Sequence, residues 1–397
     1  MLRSFKIFAS GLYARADCNP FFIFLSIFST PFFYILLMLP KGRRPLFGTL
    51  SVQRIGHFGA DFLIRYCELL SSIYGQRPVL HYLSKRNCCN LFLLELCRRK
   101  LSTSVISRLF IIFPSTIKHL DSLFLPSPGS LDGKDSMDLR GITYNMQLDL
   151  FTSNEDIQAK KWLLRHGWRP GQRIVYLLNR DSRYMESISN FDFSYHDYRN
   201  YSVSTLKDTI DWLIHEKGCF VIRMGKCSHE PANVRHPSFV DYPFCRDQSE
   251  LVEIWLFANA SFFVSCGTGP DNFSAYSGIP GVLINFIPFH YAPTYMGVVV
   301  SPKKLYSKVT GKLLDSNEMI RNGFFRSEEY LYNDIEPICL TAFEILDNVK
   351  LAWSLYIDSV APSQDLLDQK QQFLTLTSHC ICKERFIHPK FFVNSYL

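Results

Sequence analysis

The chain has 397 residues, 47% hydrophobic, 15% aromatic and 20% charged, with a net charge of +7. That is enough apolar material for two or three cored domains, and it excludes a generally disordered chain. A charge this mild suits an anionic ligand or an anionic membrane surface; with no long basic run and no ribonucleoprotein, KH or zinc-finger pattern, nucleic acid is not expected as a partner.

From Phe21 to Leu39 the sequence is almost wholly apolar, FFIFLSIFSTPFFYILLML, and no charge occurs between Asp17 and Lys41. A helix over it would cover about 28 Å, near the thickness of a bilayer core. Pro31 removes a backbone hydrogen bond in its middle and kinks a helix. Three forms fit: a spanning or re-entrant anchor, an interfacial hairpin broken at Pro31, or an element buried in the globular fold. Arg3, Lys6 and Arg15 precede it and Lys41, Arg43 and Arg44 follow it, so basic charge on both sides leaves the orientation open. No small-x-small cleavage site follows Leu39, which counts against a cleaved signal peptide. Residues 1–45 are expected to associate with a membrane.

A strand-like run, Leu50–Ile55, comes next. A turn with Gly56 and Gly59 leads into Phe62, Leu63, Tyr66, Cys67 and Leu70 at helical spacing, the strand–turn–helix opening of a Rossmann-like domain. Pro78–Leu83 and Val105–Phe113 read as strands with a helix near Asn90–Arg99 between them, and Pro126–Asp138 reads as a loop. The twelve cysteines follow no regular framework, and Cys88 and Cys89 are adjacent. That suits a reducing compartment with most thiols buried.

A second α/β series starts near Thr152, with Ser153 or Asn154 as a cap for a helix beginning Glu155-Asp156. Strands are predicted at Arg173–Leu178, Cys219–Met224, Ser261–Ser265 and Gly281–Asn285, and helices at Ser204–Glu216 and Ser249–Ala258. Such alternation implies a parallel sheet covered on both faces, with its site at the strand C-termini. The expected organisation is a membrane-association segment (1–45), an N-terminal Rossmann-like acceptor domain (46–150), a C-terminal Rossmann-like nucleotide-sugar domain (151–350) and a terminal helix with an irregular tail (351–397).

The strongest local signal is the turn Ser265-Cys266-Gly267-Thr268-Gly269-Pro270. Its glycines let an anion approach the backbone, Thr268 adds a hydroxyl, and a following helix would offer free N–H groups. The alternative is a tight structural turn. It is neither a P-loop nor a dinucleotide turn. Two neighbouring strands also end in cations, delivering Arg180 and Arg183, then Arg223 and Lys226, to the same edge. Arginine suits bidentate phosphate contacts. Against this, Arg180 can pair with Asp181, Lys226 can be merely solvated, and Arg223 can be the partner of a buried carboxylate such as Asp241. In the first domain His57 and Asp61 are candidate general bases; equally, His57 can hydrogen-bond the turn and Asp61 can cap the helix from Phe62.

His379, Cys380, Cys382 and His388 lie together in the tail but match no zinc spacing, and no Asp-x-Asp pair exists, so no metal site and no cofactor are expected. The G-x-S-x-G elbow and the H-E-x-x-H helix are also absent.

Three stretches, FTSNEDIQAKKWLLRHGWRPGQRIVYLLNRDSRY, HDYRNYSVSTLKDTIDWLIHEKGCFVIRMGK and FVDYPFCRDQSELVEIWLFANASFFVSCGTGPDNFSAYSGIPGVLINFIPF, resemble a family of bacterial glycosyltransferases linked to surface polysaccharide synthesis. The RIGHFG run at Arg54–Gly59 and the Val300–Leu305 run fit it too, and the likeness covers roughly Ser51 to Leu351. It implies a GT-B-like α/β architecture of two facing Rossmann-like domains, the second holding a nucleotide sugar and the first a glycan or lipid-linked acceptor. Matched positions are His57, Arg180, Asp181, Tyr184, Tyr198, Arg199, Arg223, Gly225, Asp241, Gly267 and Gly269. The expected reaction is metal-independent glycosyl transfer in the cytosol. Arg180, Arg223 and the Gly267–Pro270 turn stabilise the departing diphosphate, and His57 acts as base if the anomeric centre inverts. Two rivals are a membrane-tethered sugar-nucleotide or polysaccharide-binding protein without catalysis and a Rossmann-fold oxidoreductase; the missing G-x-G-x-x-G turn counts against the latter.

Overall fold

The computed structural model describes residues 20–104, 107, 118–125, 141–143, 146, 148–188, 192, 194–289, 292–321, 324, 327–378 and 386–394. The chain divides into two compact units, Met1–Asp138 and Leu139–Leu397.

In the first unit the apolar segment forms a helix, α1 (Pro20–Met38), with Pro31 inside it. Among the described residues no helix is long and apolar enough to cross a membrane. One side of α1 is folded onto the domain: Phe33 is buried with Phe47, Leu120 and Leu123, its ring centroid 5.8 Å from that of Phe47 and 6.1 Å from that of Phe124. Phe28, Phe32, Ile35, Met38 and Leu39 are exposed.

The first strand is β1 (Leu46–Thr49), not Leu50–Ile55. Its register is fixed by parallel pairing with β2 (Val79–Tyr82), Leu46 opposite Val79 and Thr49 opposite Tyr82. Helix α2 (Ile55–Leu70) begins directly at Ile55, so Gly56, His57 and Gly59 lie inside its first turns. Its N-cap is Arg54, which makes no side-chain capping bond, and Asp61 sits within the helix, 7% exposed. The capping role expected of Asp61 is therefore ruled out; the apolar stripe of Phe58, Phe62 and Leu63 buries this helix despite its two glycines. Helix α3 (Leu91–Lys100) starts where expected, with the Asn90 side chain accepting from the Leu93 amide at 2.7 Å. Most of the predicted strand Val105–Phe113 and the whole loop Pro126–Asp138 lie outside the described residues.

The second unit opens with α4 (Ser153–Arg165). Its cap is Thr152, not Ser153 or Asn154: Thr152 and Glu155 form a reciprocal capping box. The strands and helices then follow in order: β3 (Ile174–Leu177), a short α5 (Arg183–Ile188), α6 (Lys207–His215), β4 (Phe220–Arg223), β5 (Phe239–Asp241), α7 (Glu250–Asn259), β6 (Phe262–Ser265), α8 (Asp271–Tyr276), β7 (Gly281–Phe286) and β8 (Val298–Pro302). A small antiparallel sheet follows, built from β9 (Lys304–Ser307), β10 (Lys312–Leu313) and, beyond α9 (Ser316–Arg321) and α10 (Ser327–Tyr332), β11 (Ile335–Ile338). Helices α11 (Ala342–Tyr356) and α12 (Gln364–Thr377) and a last strand, β12 (Phe392–Val393), close the chain.

The large sheet is seven-stranded, in the order β12-β8-β7-β6-β3-β4-β5, and every pairing in it is parallel. Strand residues alternate between two covered faces. Val175, Leu177, Val221, Phe262, Val264, Val282 and Ile284 share a core with Ile210 and Leu213 of α6 and Ile345, Val349 and Trp353 of α11. On the other face Tyr176 stacks on Phe263 and meets Phe257 of α7 edge-on, and its hydroxyl lies 2.6 Å from Ser274 Oγ of α8. The chain winds outward through β4 and β5 on one side of β3, then returns to β6, β7 and β8 on the other. The direction reverses between β3 and β6. Adjacent loops diverge at such a switch point and leave a crevice beyond the strand C-termini.

Candidate anion-binding site

The two strands flanking the switch point end in the Arg180 loop and the Gly267 turn. Asp271 folds the turn: it accepts from Ser265 Oγ at 2.8 Å, from the Thr268 amide at 2.6 Å and from Thr268 Oγ1 at 3.2 Å. Burial pushes its carboxyl up to about 7, opposed by the hydroxyls and amide that donate to it and by the charge of Arg199. Gly267 has φ +77, and a Cβ there would lie 2.3 Å from the Phe286 ring, so both conformation and space demand glycine. The Thr268 hydroxyl expected to serve a ligand, and the Thr268 amide with it, thus donate to Asp271. Helix α8, of six residues, begins at Asp271 itself.

Arg199 reaches this turn from a short helical loop and donates to the Gly267 carbonyl; its Nε is buried without a partner among the described residues. The loop is clamped from below. Lys303, directly after β8, donates from Nζ to the carbonyls of Tyr198 at 2.9 Å and Asn200 at 2.7 Å. Burial holds its ammonium below the ordinary lysine value. Tyr201 ties the same loop to the end of β3 through its hydroxyl and the Leu178 carbonyl, 2.9 Å apart.

Arg180 stands beside this assembly. Burial first, then the charge of Arg199, depresses its guanidinium to about 10. Among the described residues it has no hydrogen-bond or ion-pair partner for its side chain. Asp181, the alternative partner, is engaged elsewhere: it accepts from the Arg183 amide at 3.0 Å, from the His229 amide at 3.1 Å and from Ser228 Oγ. Two guanidinium groups, with no carboxylate ion-paired to either among the described residues, therefore meet a glycine turn at the switch point. A partly buried cation without a counter-ion is costly, and an oxyanion relieves that cost.

Arg223 belongs to a different arrangement. It is 1% exposed, and its guanidinium donates to Asn179 Oδ1 at 2.8 Å, the Glu230 carbonyl at 2.7 Å, Asp241 Oδ1 at 3.1 Å and Ser228 Oγ. Asp241 also accepts from the Ala232 amide at 2.8 Å. This knot fastens the loops after β3, β4 and β5 together. Gly225, with φ +141, makes the turn that leads the chain out of it. Arg183 is more than half exposed at the start of α5, 4.0 Å from Glu186. Tyr184 follows it on α5, its carbonyl accepting from Ser187 Oγ at 2.7 Å. Lys226 lies 3.9 Å from Glu250 at the surface. Tyr198 is buried with its ring centroid 5.0 Å from that of Tyr330. Pro270 ends the glycine turn, its carbonyl accepting from the Phe273 amide at 3.0 Å. His57 and Asp61 belong to the first unit.

Of the predicted residues, the fold brings Arg180, Arg199 and Gly267–Pro270 together. It gathers Asp181, Arg223 and Asp241 into the neighbouring knot. Lys303 and Asp271 received no role from the sequence. Lys303 carried a usable signal, a cation three residues past the apolar run Val298–Val300. Asp271 looked like an ordinary acidic start to a helix. In the tail, His379, Cys380 and Cys382 lie outside the described residues, and His388 packs near Gly297 and Phe386.

No protein-family model and no curated protein sequence matches the chain. Among solved structures, it is similar to a glycosyl transferase family 9 protein from Veillonella parvula, at 10% identity and a TM-score of 0.40 over 79% of this chain and 98% of the other. It is also similar to the E. coli ADP-heptose lps heptosyltransferase II, at 11% identity and a TM-score of 0.42 over 80% of this chain and 100% of the other. Both likenesses are loose.

Proposed function

We propose that this protein is a glycosyltransferase of GT-B-like design that moves a sugar from a nucleotide-sugar donor to a glycan or lipid-linked acceptor in surface polysaccharide synthesis. The observation that carries this reading is Arg180, a mostly buried cation with no side-chain hydrogen bond or ion pair among the described residues, beside Arg199 and the Gly267 turn at the switch point of a parallel sheet. A diphosphate leaving group develops negative charge as the glycosidic bond breaks. Guanidinium groups already fixed in place stabilise that charge without reorganising. They also fill the role that a divalent cation plays where paired carboxylates hold one, so the reaction is proposed to need no metal ion. Arg223, Asp181 and Asp241 position the donor loops. His57, with Asp61 behind it on the same helix, is the proposed base for the acceptor hydroxyl. The sequence resemblance over roughly Ser51 to Leu351 supports the same chemistry.

The protein is further proposed to work at the cytoplasmic face of a membrane. The exposed apolar residues of α1, followed by Lys41, Arg43 and Arg44, suit a helix lying in the interface of an anionic leaflet.

The test is a thermal-shift and turnover screen against UDP, GDP, CMP and ADP sugars. One nucleotide class is expected to raise the melting temperature and to be consumed, in the presence of EDTA, when acceptor is supplied. Stabilisation without any turnover would favour the binding-protein alternative. Loss of turnover in EDTA that Mn²⁺ or Mg²⁺ restores would overturn the metal-independent assignment.

A further inference from the structure

We propose that His166, Cys245 and Asp247 form a binding site for a divalent ion of the zinc class, separate from the donor site. One ligand atom from each, an imidazole nitrogen, a thiol sulfur and a carboxylate oxygen, lies within 4.8 Å of the other two. His166 Nε2 and Asp247 Oδ1 are 3.2 Å apart. Zinc-class bonds of about 2.0–2.3 Å at tetrahedral angles place ligand atoms roughly 3.3–3.7 Å from each other, so small side-chain movements complete the geometry. The mixed nitrogen, sulfur and oxygen set fits zinc or cobalt better than magnesium or calcium, which prefer oxygen alone.

The histidine is oriented for this task. Its Nδ1 lies 2.8 Å from the Trp162 carbonyl, which can only accept. With Nδ1 as the donor to that carbonyl, Nε2, the nitrogen nearest Asp247, is the atom left to ligate an ion. The ring is stacked on Trp162 at 3.8 Å between centroids. Trp162 in turn donates from Nε1 to the Asp247 carbonyl at 2.9 Å. Both sides of the site are thus held by one tryptophan. His166 is also the C-cap of α4, where the helix dipole favours a cation. Arg165 approaches only the second oxygen, Asp247 Oδ2, at 3.8 Å, and both side chains are well exposed there. Without an ion, His166 and Asp247 face each other as a pair and the Cys245 thiol donates to the Asp241 carbonyl across 3.6 Å. On binding, the Cys245 S–H bond gives way to a sulfur–metal bond and the proton passes to solvent. Three protein ligands leave one position for water. The ion would pin the end of α4 to the loop between β5 and α7, a structural role independent of the proposed transfer reaction.

Cobalt(II) titration of the full chain provides the test. A sulfur-to-cobalt charge-transfer band saturating at one ion per chain is expected, with zinc displacing cobalt and raising the melting temperature. Cys245→Ser should abolish the band, and His166→Asn should weaken binding at least tenfold. Neither should lower the metal-free melting temperature appreciably, and that measurement excludes misfolding as the cause. A band that survives Cys245→Ser, or the absence of stoichiometric binding by the unmodified chain, would overturn the site.

Discussion

Three arginines reach the same edge of the sheet, and their surroundings give them different work. Arg180 has no protein partner among the described residues, Arg199 has one carbonyl, and Arg223 is fully engaged with Asn179, Ser228, Glu230 and Asp241. Removing Arg180 or Arg199 should therefore weaken nucleotide binding by about 1.5–3 kcal/mol, the range for a hydrogen bond to a charged group, and leave the melting temperature nearly unchanged. Arg223→Ala should do the opposite. It strands Asp241 and should cost about 3–5 kcal/mol of stability. Calorimetry and thermal melts on the same three variants separate the roles. The sequence placed Arg180 and Arg223 at strand ends because a cation after an apolar run is a local pattern, whereas Arg199 came only from the family resemblance. It could not tell a ligand-facing arginine from a structural one, because Asp241 and Ser228 meet Arg223 only through the pairing of β4 with β5. Asp271 adds a pH signature. Its folded-state value of about 7 lies above the ordinary 3.8. Its stabilising contribution is therefore complete below about pH 4 and is lost as pH rises through 7. Asp271→Asn should flatten that stretch of the stability curve; an unchanged slope in chemical melts between pH 4 and 7 would remove Asp271 as its source.

Among the elements, the parallel series was readable because each strand is a short apolar run between amphipathic helices. The sequence marked β3, β4, β6 and β7 to within a few residues. It missed β8 and the sheet's two shortest strands, β5 and β12, which have three and two residues and draw their identity from neighbours already in place. β12 is the clearer case. The irregular, Phe-rich end of the chain returns to pair with β8, Phe392 opposite Val299 and Val393 opposite Val300. Phe391 is buried against Phe373 of α12. A tail that completes a sheet should be expensive to disturb. Phe391→Ala is expected to cost about 3 kcal/mol, the lower end for a buried phenylalanine, as read by urea unfolding. A loss below about 0.5 kcal/mol would mean that the strand only rests on the sheet edge. β1 was displaced from its predicted position for a related reason. Its register follows Val79–Tyr82 across the sheet, while the run Leu50–Arg54 serves as the connection to α2.

At the scale of the whole molecule, the apolar helix α1 carries the proposed membrane contact. The sequence allowed a spanning anchor, an interfacial element or a buried one. Among the described side chains of helix α1, Phe33 is buried with Phe47, Leu120 and Leu123, while Phe28 and Met38 are 66% and 83% exposed. A helix packed by one side and apolar on the other is unfavourable in water, because the exposed groups recover their hydrophobic free energy only against another apolar phase. The basic Lys41, Arg43 and Arg44 follow where an interfacial helix would meet anionic headgroups. Deleting α1 outright is a poor test, since it would uncover Phe47, Leu120 and Leu123. Replacing Ile35, Met38 and Leu39 together by serine spares Phe33 and alters exposed apolar side chains. The triple variant is expected to lose sedimentation with anionic vesicles while keeping its melting temperature and its nucleotide affinity. Removing each large side chain from an apolar phase should cost about 1.5–3 kcal/mol, enough together to shift the partition coefficient by several orders of magnitude. Neutralising Lys41, Arg43 and Arg44 should have a smaller effect that disappears in high salt, because only the electrostatic part is screened. Vesicle binding by the serine variant equal to that of the unmodified chain would show that α1 does not make the membrane contact.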